Sequence, residues 1–288
     1  MQRFALIICL AVALFGCGRS TTHETAEHYE TRGVVRGFSP DRQTIEIQHE
    51  NIPGFMPSMT MPFVAQDPKQ IANLKIGDAI SFRMTVTQKD FWIDNVKKVS
   101  RKEVDVSEPK PTPAISTGGD ERLHEGDEMP FFALTNQNGE PISLEKFRGR
   151  PFVLTFVFTR CPLPNFCPLM SNNFEELQTA IKTGSGALAE ARLLSITLDP
   201  EFDTPQVLKD YGAFHHADPQ IWSFGSGDEK QMDGLTRAFS VYRQTEGGTI
   251  SHGLATALID KNGKVARIWR GNSWKPAEVI EEMKRRGE

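Results

Sequence analysis

The spacing of apolar side chains divides the chain into two parts that favour different secondary structure. From residue 31 to residue 99, apolar and polar positions alternate in short runs, and Ile45, Ile47 and His49 share one face of the clearest run. Glycine, proline and aspartate separate these runs, as they do between short antiparallel strands. The pattern predicts a small all-β, OB-like barrel. Its five predicted strands are 33–37, 44–49, 59–64, 79–86 and 91–96.

From residue 124 onward, strands and helices alternate. Segment 151–158 is an almost continuous apolar run, which is typical of a central strand buried on both faces. Thr204 followed by Pro205 predicts a helix start, and the sequence Asp-Lys-Asn-Gly at 260–263 predicts a hairpin turn. This order of elements predicts an α/β, thioredoxin-like domain. Its predicted strands are 151–158, 191–198, 255–260 and 265–270, and its predicted helices are 168–182, 204–215, 228–239 and 276–286.

The first 16 residues have the pattern of an export signal. A single basic residue, Arg3, precedes an apolar run of 12 residues, which is too short to span a bilayer and suits the core of a signal peptide. The following Gly16-Cys17 resembles the cleavage box of bacterial lipoproteins, which implies that Cys17 becomes the lipidated first residue of the mature chain. Ordinary secretion and an uncleaved anchor are the alternatives. The pattern thus predicts a lipid-anchored location on the periplasmic side of a bacterial membrane.

Polar segments without apolar periodicity lie between these regions. Residues 17–30 predict a spacer, and residues 100–123, which are charged and rich in proline, glycine and serine, predict a linker. The predicted organisation is a signal peptide (1–16), a spacer (17–30), a β-barrel domain (31–99), a linker (100–123) and a thioredoxin-like domain (124–288).

Composition and charge narrow the class of protein. With 39% hydrophobic residues among 288, the chain is not disordered throughout, and its net charge of -4 argues against a nucleic-acid partner. Four cysteines are too few for a disulfide scaffold of this size. Cys9 lies in the predicted signal peptide and Cys17 is the predicted lipid attachment site, so Cys161 and Cys167 are the thiols left for chemistry.

This cysteine pair lies where the predicted central strand gives way to a helix. Amide groups at a helix start favour thiolate, and thiolate supports both disulfide exchange and metal binding. A structural disulfide that closes a surface loop is the alternative. The carboxyl end of a central strand is nevertheless where sites cluster in open α/β sheets, which favours a functional pair.

The surrounding motifs resemble the Sco (SenC) family of copper chaperones for cytochrome oxidase, over roughly residues 125–287. Four segments carry the resemblance: 158–162 (FTRCP), 167–168 (CP), 198–205 (LDPEFDTP) and 251–252 (SH). It implies a copper site at Cys161, Cys167 and His252, with the two cysteines also acting as a redox pair that forms the Cys161–Cys167 disulfide. The family usually has three residues between its cysteines, whereas this chain has five. The longer loop favours, as an alternative, a purely thiol–disulfide role.

Two thiolates and an imidazole suit Cu(I), and with further ligands Cu(II). A packed or surface histidine is the alternative for His252. Asp199 matches an acidic position of the family, which implies a role in orienting the site or in partner docking, with helix capping and surface charge as alternatives.

A second group of soft ligands lies in the predicted barrel. Met59 and Met61 are two residues apart on a strand, so their thioethers point to the same face, and the alternation aims His49 inward. One imidazole and two thioethers favour Cu(I) or Ag(I), whereas methionines that only fill a small core are the alternative. His49, Pro57 and the sequence Met-Thr-Met at 59–61 resemble the CusF-like periplasmic copper-binding domain, over about residues 30–100. Met56 stands where that family has a metal-covering tryptophan, which suggests a third thioether.

The sequence therefore supports a membrane-tethered copper chaperone in which the barrel passes Cu(I) across the linker to the cysteine site. The resemblance implies a cuproprotein client, such as the copper subunit of cytochrome c oxidase. Because the thiols must be reduced to bind copper, it also implies a thiol–disulfide reductase partner.

Two enzymatic alternatives remain. In the first, the chain is itself a thiol–disulfide reductase, with Cys161 attacking target cysteines, Cys167 resolving, and the barrel buffering copper. In the second it is a thiol peroxidase, because residues 156–161 also resemble the strand-to-helix entry of peroxiredoxins.

Overall fold

The computed structural model describes residues 26–39, 42–87, 90–106, 122–246 and 249–286. The predicted signal peptide, the lipidation site Cys17 and most of the predicted linker lie outside these ranges. Within them, we find no helix with the length and apolar character needed to cross a membrane.

Five antiparallel strands form the N-terminal sheet, in the order β3-β2-β1-β4-β5. The first strand begins inside the predicted spacer, because Glu27 to Val34 pair with the strand that runs from Ala79 to Val86. The other four strands begin where the alternation predicts. The strands are β1 (Glu27–Phe38), β2 (Thr44–His49), β3 (Met59–Val64), β4 (Ala79–Val86) and β5 (Phe91–Lys98).

The N-terminal sheet does not close into the predicted barrel. Among the described residues, its edge strands β3 and β5 are joined by one isolated bridge, between Ala65 and Ile93. The chain turns away after this bridge into a short 3-10 helix that begins at Pro68, a residue with no N–H to extend a ladder. The Gln70 side chain accepts a hydrogen bond from the Val96 amide at 3.0 Å instead, which satisfies a donor on the open edge.

The inward face of this sheet is apolar and continuous. Met59, Met61 and Phe63 alternate inward on β3, and Phe63 makes edge contacts with Phe82 and Phe91. Val104 and Val106 extend the ordered structure into the predicted linker, because they pack in a small cluster with Val34 and Ala79.

Seven strands form the C-terminal sheet, in the order β14-β13-β8-β9-β10-β6-β7. The central strands β8, β9 and β10 are parallel, and the outer pairings are antiparallel. The strands are β6 (Ala133–Asn136), β7 (Pro141–Ser143), β8 (Phe152–Val157), β9 (Arg192–Thr197), β10 (Trp222–Ser226), β13 (Ala255–Ile259) and β14 (Val265–Arg270), and a separate hairpin contains β11 (Arg243–Glu246) and β12 (Thr249–His252).

Helices cover this sheet close to their predicted positions. Pro205 is the first residue of its helix, and the Thr204 side chain accepts a hydrogen bond from the Val207 amide, as the start signal predicts. The helices are α1 (Cys167–Thr183), α2 (Ala187–Glu190), α3 (Pro205–Phe214), α4 (Glu229–Ala238) and α5 (Pro276–Arg286).

The sequence pattern missed one central strand, β10. Its sequence Trp-Ser-Phe-Gly-Ser lacks the apolar run that marks β8 and β9. Gly225 packs closely there, because a Cβ atom would lie 2.8 Å from Leu134 Cδ1 on the neighbouring strand β6 and the leucine side chain would have to shift. Close packing between strands, which single-sequence periodicity does not register, therefore explains the omission.

Candidate metal centre

The C-terminal sheet brings together the three residues predicted to hold copper. Cys161 lies in the loop after β8, Cys167 is the first residue of α1, and His252 is the last residue of β12. One ligand atom from each residue lies within 4.8 Å of the others, and Cys167 Sγ is 3.5 Å from His252 Nε2. Both thiols are free, so the predicted Cys161–Cys167 disulfide stays a prediction. The five-residue spacing does not keep the two sulfurs apart.

Two turns fold the long cysteine loop back on itself. The Cys161 amide donates to the Phe158 carbonyl at 3.2 Å, and the Phe166 amide donates to the Leu163 carbonyl at 3.1 Å. Between these turns the Leu163 side chain is only 5% exposed, although it points away from the C-terminal core. It is buried in the core of the N-terminal sheet, which anchors the loop from outside.

The surroundings of the two thiols shift their pKa values in opposite directions. Burial by itself raises the pKa of the Cys161 thiol, but the hydrogen bond with Cys167 and the interaction with the His252 imidazole outweigh it, so this pKa lies well below its usual value. Burial and the adjacent Cys161 sulfur raise the pKa of Cys167 well above its usual value. Cys161 is also the more accessible of the two, since Cys167 is fully buried. Cys161 thus combines the lower pKa with the greater exposure of the two thiols.

The His252 ring is held in one orientation. Its Nδ1 atom lies 2.8 Å from the Gly253 carbonyl oxygen, and Phe158 and Phe166 present their rings edge-on to it. Donation from Nδ1–H to that carbonyl leaves Nε2 as a lone pair directed at Cys167. This is the tautomer that a metal ligand requires.

Asp199 does not contact the cysteines. Its carboxylate pairs with Arg160 at 2.6 Å, and the Arg160 guanidinium lies 3.9 Å from the centre of the Phe202 ring. The predicted role of Asp199 in orienting the site is therefore indirect, through the residue that precedes Cys161.

Asp203 is a structural residue that the sequence analysis missed. It is fully buried and accepts hydrogen bonds from the Thr159 amide at 3.2 Å, from the Thr159 hydroxyl at 2.5 Å and from the Thr197 hydroxyl at 2.5 Å. Burial raises the pKa of Asp203, although these donors oppose the shift. The carboxylate ties the start of the cysteine loop to β9. The sequence shows that Asp203 lies just before the Thr-Pro helix start, but it does not show the three hydrogen bonds that Asp203 accepts from Thr159 and Thr197.

The second predicted site lies on the inward face of the N-terminal sheet. His49 is fully buried and is the cross-strand partner of Met59. Its Nδ1 lies 2.7 Å from the Glu50 carbonyl oxygen, and its Nε2 is buried without a hydrogen-bond partner among the described residues. Burial lowers the pKa of His49, which favours the neutral ring. A buried, unpartnered Nε2 on the residue paired with Met59 fits a soft metal ligand, because such a nitrogen is otherwise costly.

The three methionines named in the sequence are all buried. Met56 is 4% exposed, Met59 is 8% exposed and Met61 is 3% exposed. They face one cavity of about 40 Å³ that lies between the two sheets. The opposite wall of this cavity is formed by the cysteine loop and β12: Phe158, Cys161, Pro162, Leu163, Phe166, Ile250, Ser251 and His252. Met56, Met59 and Met61 of one predicted site and Cys161 and His252 of the other therefore lie on opposite walls of one cavity, an arrangement that the sequence pattern did not predict.

Fold and site together define a thioredoxin-like protein whose thiol and imidazole ligands face a second set of soft ligands. The family model described as SCO1/SenC matches residues 121–287, and the chain belongs to this family. A second model, described as the copper binding periplasmic protein CusF, matches residues 28–98. Both resemblances found in the sequence are thus confirmed, and so, at the level of these families, is copper as the implied metal.

Individual relatives support the assignment to the SCO1/SenC family. The chain is 31% identical over 160 residues to a "SCO2-like protein" of Rickettsia felis, a match that covers 53% of this chain and 74% of the relative. It is 31% identical over 142 residues to a "putative copper-binding protein" of Stutzerimonas stutzeri, covering 48% and 66%. The crystal structure of a SCO1/SenC family lipoprotein from Bacillus anthracis superposes with a TM-score of 0.51 at 30% identity, covering 56% of this chain and 95% of that chain. This likeness confirms the predicted α/β fold of the C-terminal part.

Proposed function

We propose that this protein is a copper chaperone, lipid-anchored on the periplasmic side of a bacterial membrane, that delivers copper to a cuproprotein such as the copper subunit of cytochrome c oxidase. The observation that carries the proposal is the convergence of Cys161, Cys167 and His252, whose ligand atoms lie within 4.8 Å of one another. Two sulfurs and a bare imidazole nitrogen are a ligand set for Cu(I).

In this proposal the chain contains a donor site and an acceptor site. The donor is formed by His49, Met59 and Met61, with Met56 as a further thioether. The acceptor is the cysteine site, and transfer is favourable because thiolates bind Cu(I) more strongly than thioethers do. Copper stays in the +1 state, and each thiol that binds loses its proton to solvent. A thiol–disulfide reductase keeps the pair reduced between cycles.

The proposed organisation follows the sequence segments. A signal peptide (1–16) directs export, and Cys17 carries the lipid. A spacer (17–30) leads to the CusF-like domain (31–99), and a linker (100–123) joins it to the Sco domain (124–288).

Anaerobic Cu(I) titration against a competing chelator tests this function in the full chain. The parent is expected to bind one copper at each site, and Cys161→Ser with Cys167→Ser, or Met59→Leu with Met61→Leu, should each remove one of them. Met84→Leu is the matched control, since Met84 is fully buried in the same sheet but does not line the cavity. If the double cysteine variant binds as much copper as the parent, the chaperone function is wrong.

The acidity difference between the two thiols favours one other function, that of a thiol–disulfide reductase. The Cys161 thiolate would attack a target disulfide and form a mixed disulfide, and Cys167 would then displace the target as a dithiol. The two electrons come from the cysteine pair, which ends as the Cys161–Cys167 disulfide. Reduction of a protein disulfide by the parent, with copper binding unchanged in the double cysteine variant, would establish this function instead.

A further inference from the structure

The cavity between the two sheets has an unusual lining. Three thioether residues, Met56, Met59 and Met61, form one wall, and Cys161 and His252 are on the other. Its volume of about 40 Å³ is large enough for a small ion. His49 and Cys167 are not among the residues that line it.

We propose that this cavity is itself a copper site, in which one Cu(I) is bound at the same time by the Met59 and Met61 thioethers and by the Cys161 thiolate. The proposal rests on the proposed function and adds to it a third metal site, with ligands from both sheets. Copper at this site is neither in the complete donor site nor in the complete acceptor site, since His49 and Cys167 do not line the cavity.

Cys161 is the residue that both sheets share. It packs against the apolar core of the C-terminal sheet and also against that of the N-terminal sheet, whereas Cys167 is buried in the C-terminal core alone. Thioethers and a thiolate are all soft ligands, and an apolar, sulfur-lined cavity disfavours competing hard cations. The ligand types and the position of Cys161 thus agree on a shared Cu(I) site.

Contacts around the cavity hold its two walls together. Leu163 is buried in the N-terminal core, and the Phe166 ring centre lies 6.3 Å from that of Phe91. The Asn165 side-chain amide donates to the Asp90 carboxylate at 3.0 Å. Because all three loop residues lie between the two cysteines, the same loop that positions Cys161 also fixes its distance from the methionines.

Transfer through this site is a sequence of ligand exchanges. The Cys161 thiol first loses its proton to solvent, and its sulfur bonds to copper as the bond to His49 Nε2 breaks. Bonds from Cys167, after loss of its proton, and from His252 then replace those of the two thioethers. Copper remains +1 throughout, and no electron donor or acceptor is needed. At every stage the ion keeps sulfur ligands and is never released to water.

Methionine-methyl NMR of the full chain tests the shared site. In the variant His49→Ala with Cys167→Ser, neither flanking site is complete, yet Met59, Met61 and Cys161 are all present. One equivalent of Cu(I) should shift the methyl signals of Met59 and Met61. Adding Cys161→Ser should abolish these shifts and weaken Cu(I) binding by about tenfold or more, as expected when coupled ligands are separated.

Three results would overturn the proposal: copper bound without methyl shifts, methyl shifts that survive Cys161→Ser, or no copper bound at all. The Met84 and Met170 methyls report correct folding, since both are fully buried outside the cavity lining. If Cys167→Ser does not fold, Cys167→Ala replaces it. If neither variant folds, the experiment uses the parent. The methyl shifts of Met59 and Met61 and the protection of Cys161 from alkylation must then increase together as copper is added.

The result that would contradict the proposed chaperone function differs from the result that would contradict the shared site. The chaperone function is lost if the double cysteine variant binds as much copper as the parent. The shared site alone is lost if that variant binds less copper while the Met59 and Met61 methyls of the His49→Ala, Cys167→Ser chain do not respond.

Discussion

His49 and His252 each make the same type of hydrogen bond, although they lie on different sheets. In each, Nδ1 contacts the carbonyl oxygen of the next residue, at 2.7 Å in His49 and 2.8 Å in His252. Each ring therefore leaves Nε2 as a lone pair, which in His252 lies 3.5 Å from Cys167 Sγ and in His49 is buried without a hydrogen-bond partner among the described residues. The two histidines thus provide equivalent nitrogen ligands at the two ends of the proposed copper path.

The orphaned Nε2 of His49 leads to a first prediction. His49→Leu removes one hydrogen bond and one unsatisfied buried nitrogen, so the free energy of unfolding without copper should change by less than about 1 kcal/mol. Copper should raise the melting temperature of the parent much more than that of the variant, because ligand binding at 100 times its Kd contributes about 2.7 kcal/mol. Thermal unfolding with and without Cu(I) measures both effects. An equal copper-induced rise in both proteins would show that His49 is not a ligand.

A second prediction concerns the acidity of Cys161. Its lowered pKa means that more of Cys161 is thiolate at any given pH than in an ordinary thiol, and that this thiolate is lost as the pH falls through the lowered value. Alkylation followed by mass spectrometry should therefore label Cys161 before Cys167 and at a pH where ordinary thiols react slowly. His252→Ala should move the pH profile of Cys161 to higher values, since the imidazole helps to lower its pKa. Equal labelling of both cysteines at neutral pH would contradict the assignment.

The buried loop residue Leu163 gives a third prediction. Leu163→Asp places a charge in the N-terminal core, which should separate the sheets and increase the radius of gyration measured by X-ray scattering, while the circular dichroism stays that of a folded protein. Burial of a leucine side chain contributes about 1.5–3 kcal/mol, so its loss is enough to shift the docking equilibrium. Asn165→Ala is the matched control in the same loop, because it removes one exposed hydrogen bond, to Asp90, but no buried apolar side chain, and so should change the docking less. An unchanged radius in the Leu163 variant would refute docking through this loop.

A fourth prediction follows from the burial of Asp203. Its pKa is raised in the folded state, so the native protein binds this proton more tightly than the unfolded chain does. The contribution of Asp203 to the free energy of unfolding should therefore decrease as the pH rises from the ordinary carboxyl range through the raised pKa. Asp203→Asn should remove this part of the pH dependence in urea titrations.

The matched variant Asp203→Ala separates charge from hydrogen bonding. It leaves the Thr159 amide and the buried Thr197 hydroxyl without their acceptor, at about 1–3 kcal/mol for each unsatisfied group. It should therefore destabilise the protein more than Asp203→Asn does. Equal stability of the two variants would show that the hydrogen bonds are dispensable.

The sequence identified the residues of the candidate sites, but not how these residues lie relative to one another. His49, Met59 and Met61 follow from period-two alternation because that pattern alone decides which face of a strand is buried. The strand containing Trp222 was missed because it lacks a continuous apolar run, and the close packing of its Gly225 against Leu134 on the next strand is not visible in the sequence. The meeting of Cys161 with the methionines was equally invisible, since it depends on contacts across a linker that periodicity cannot register.

Leu163 also has a consequence for how this cysteine loop can change during evolution. The five residues between Cys161 and Cys167 supply both the bend that brings the sulfurs together and the side chain that is buried in the neighbouring sheet. A deletion that shortened the loop would therefore detach the two halves of the protein even if the thiols still met. In this chain the geometry of the cysteine pair and the docking of the N-terminal sheet therefore depend on the same five residues.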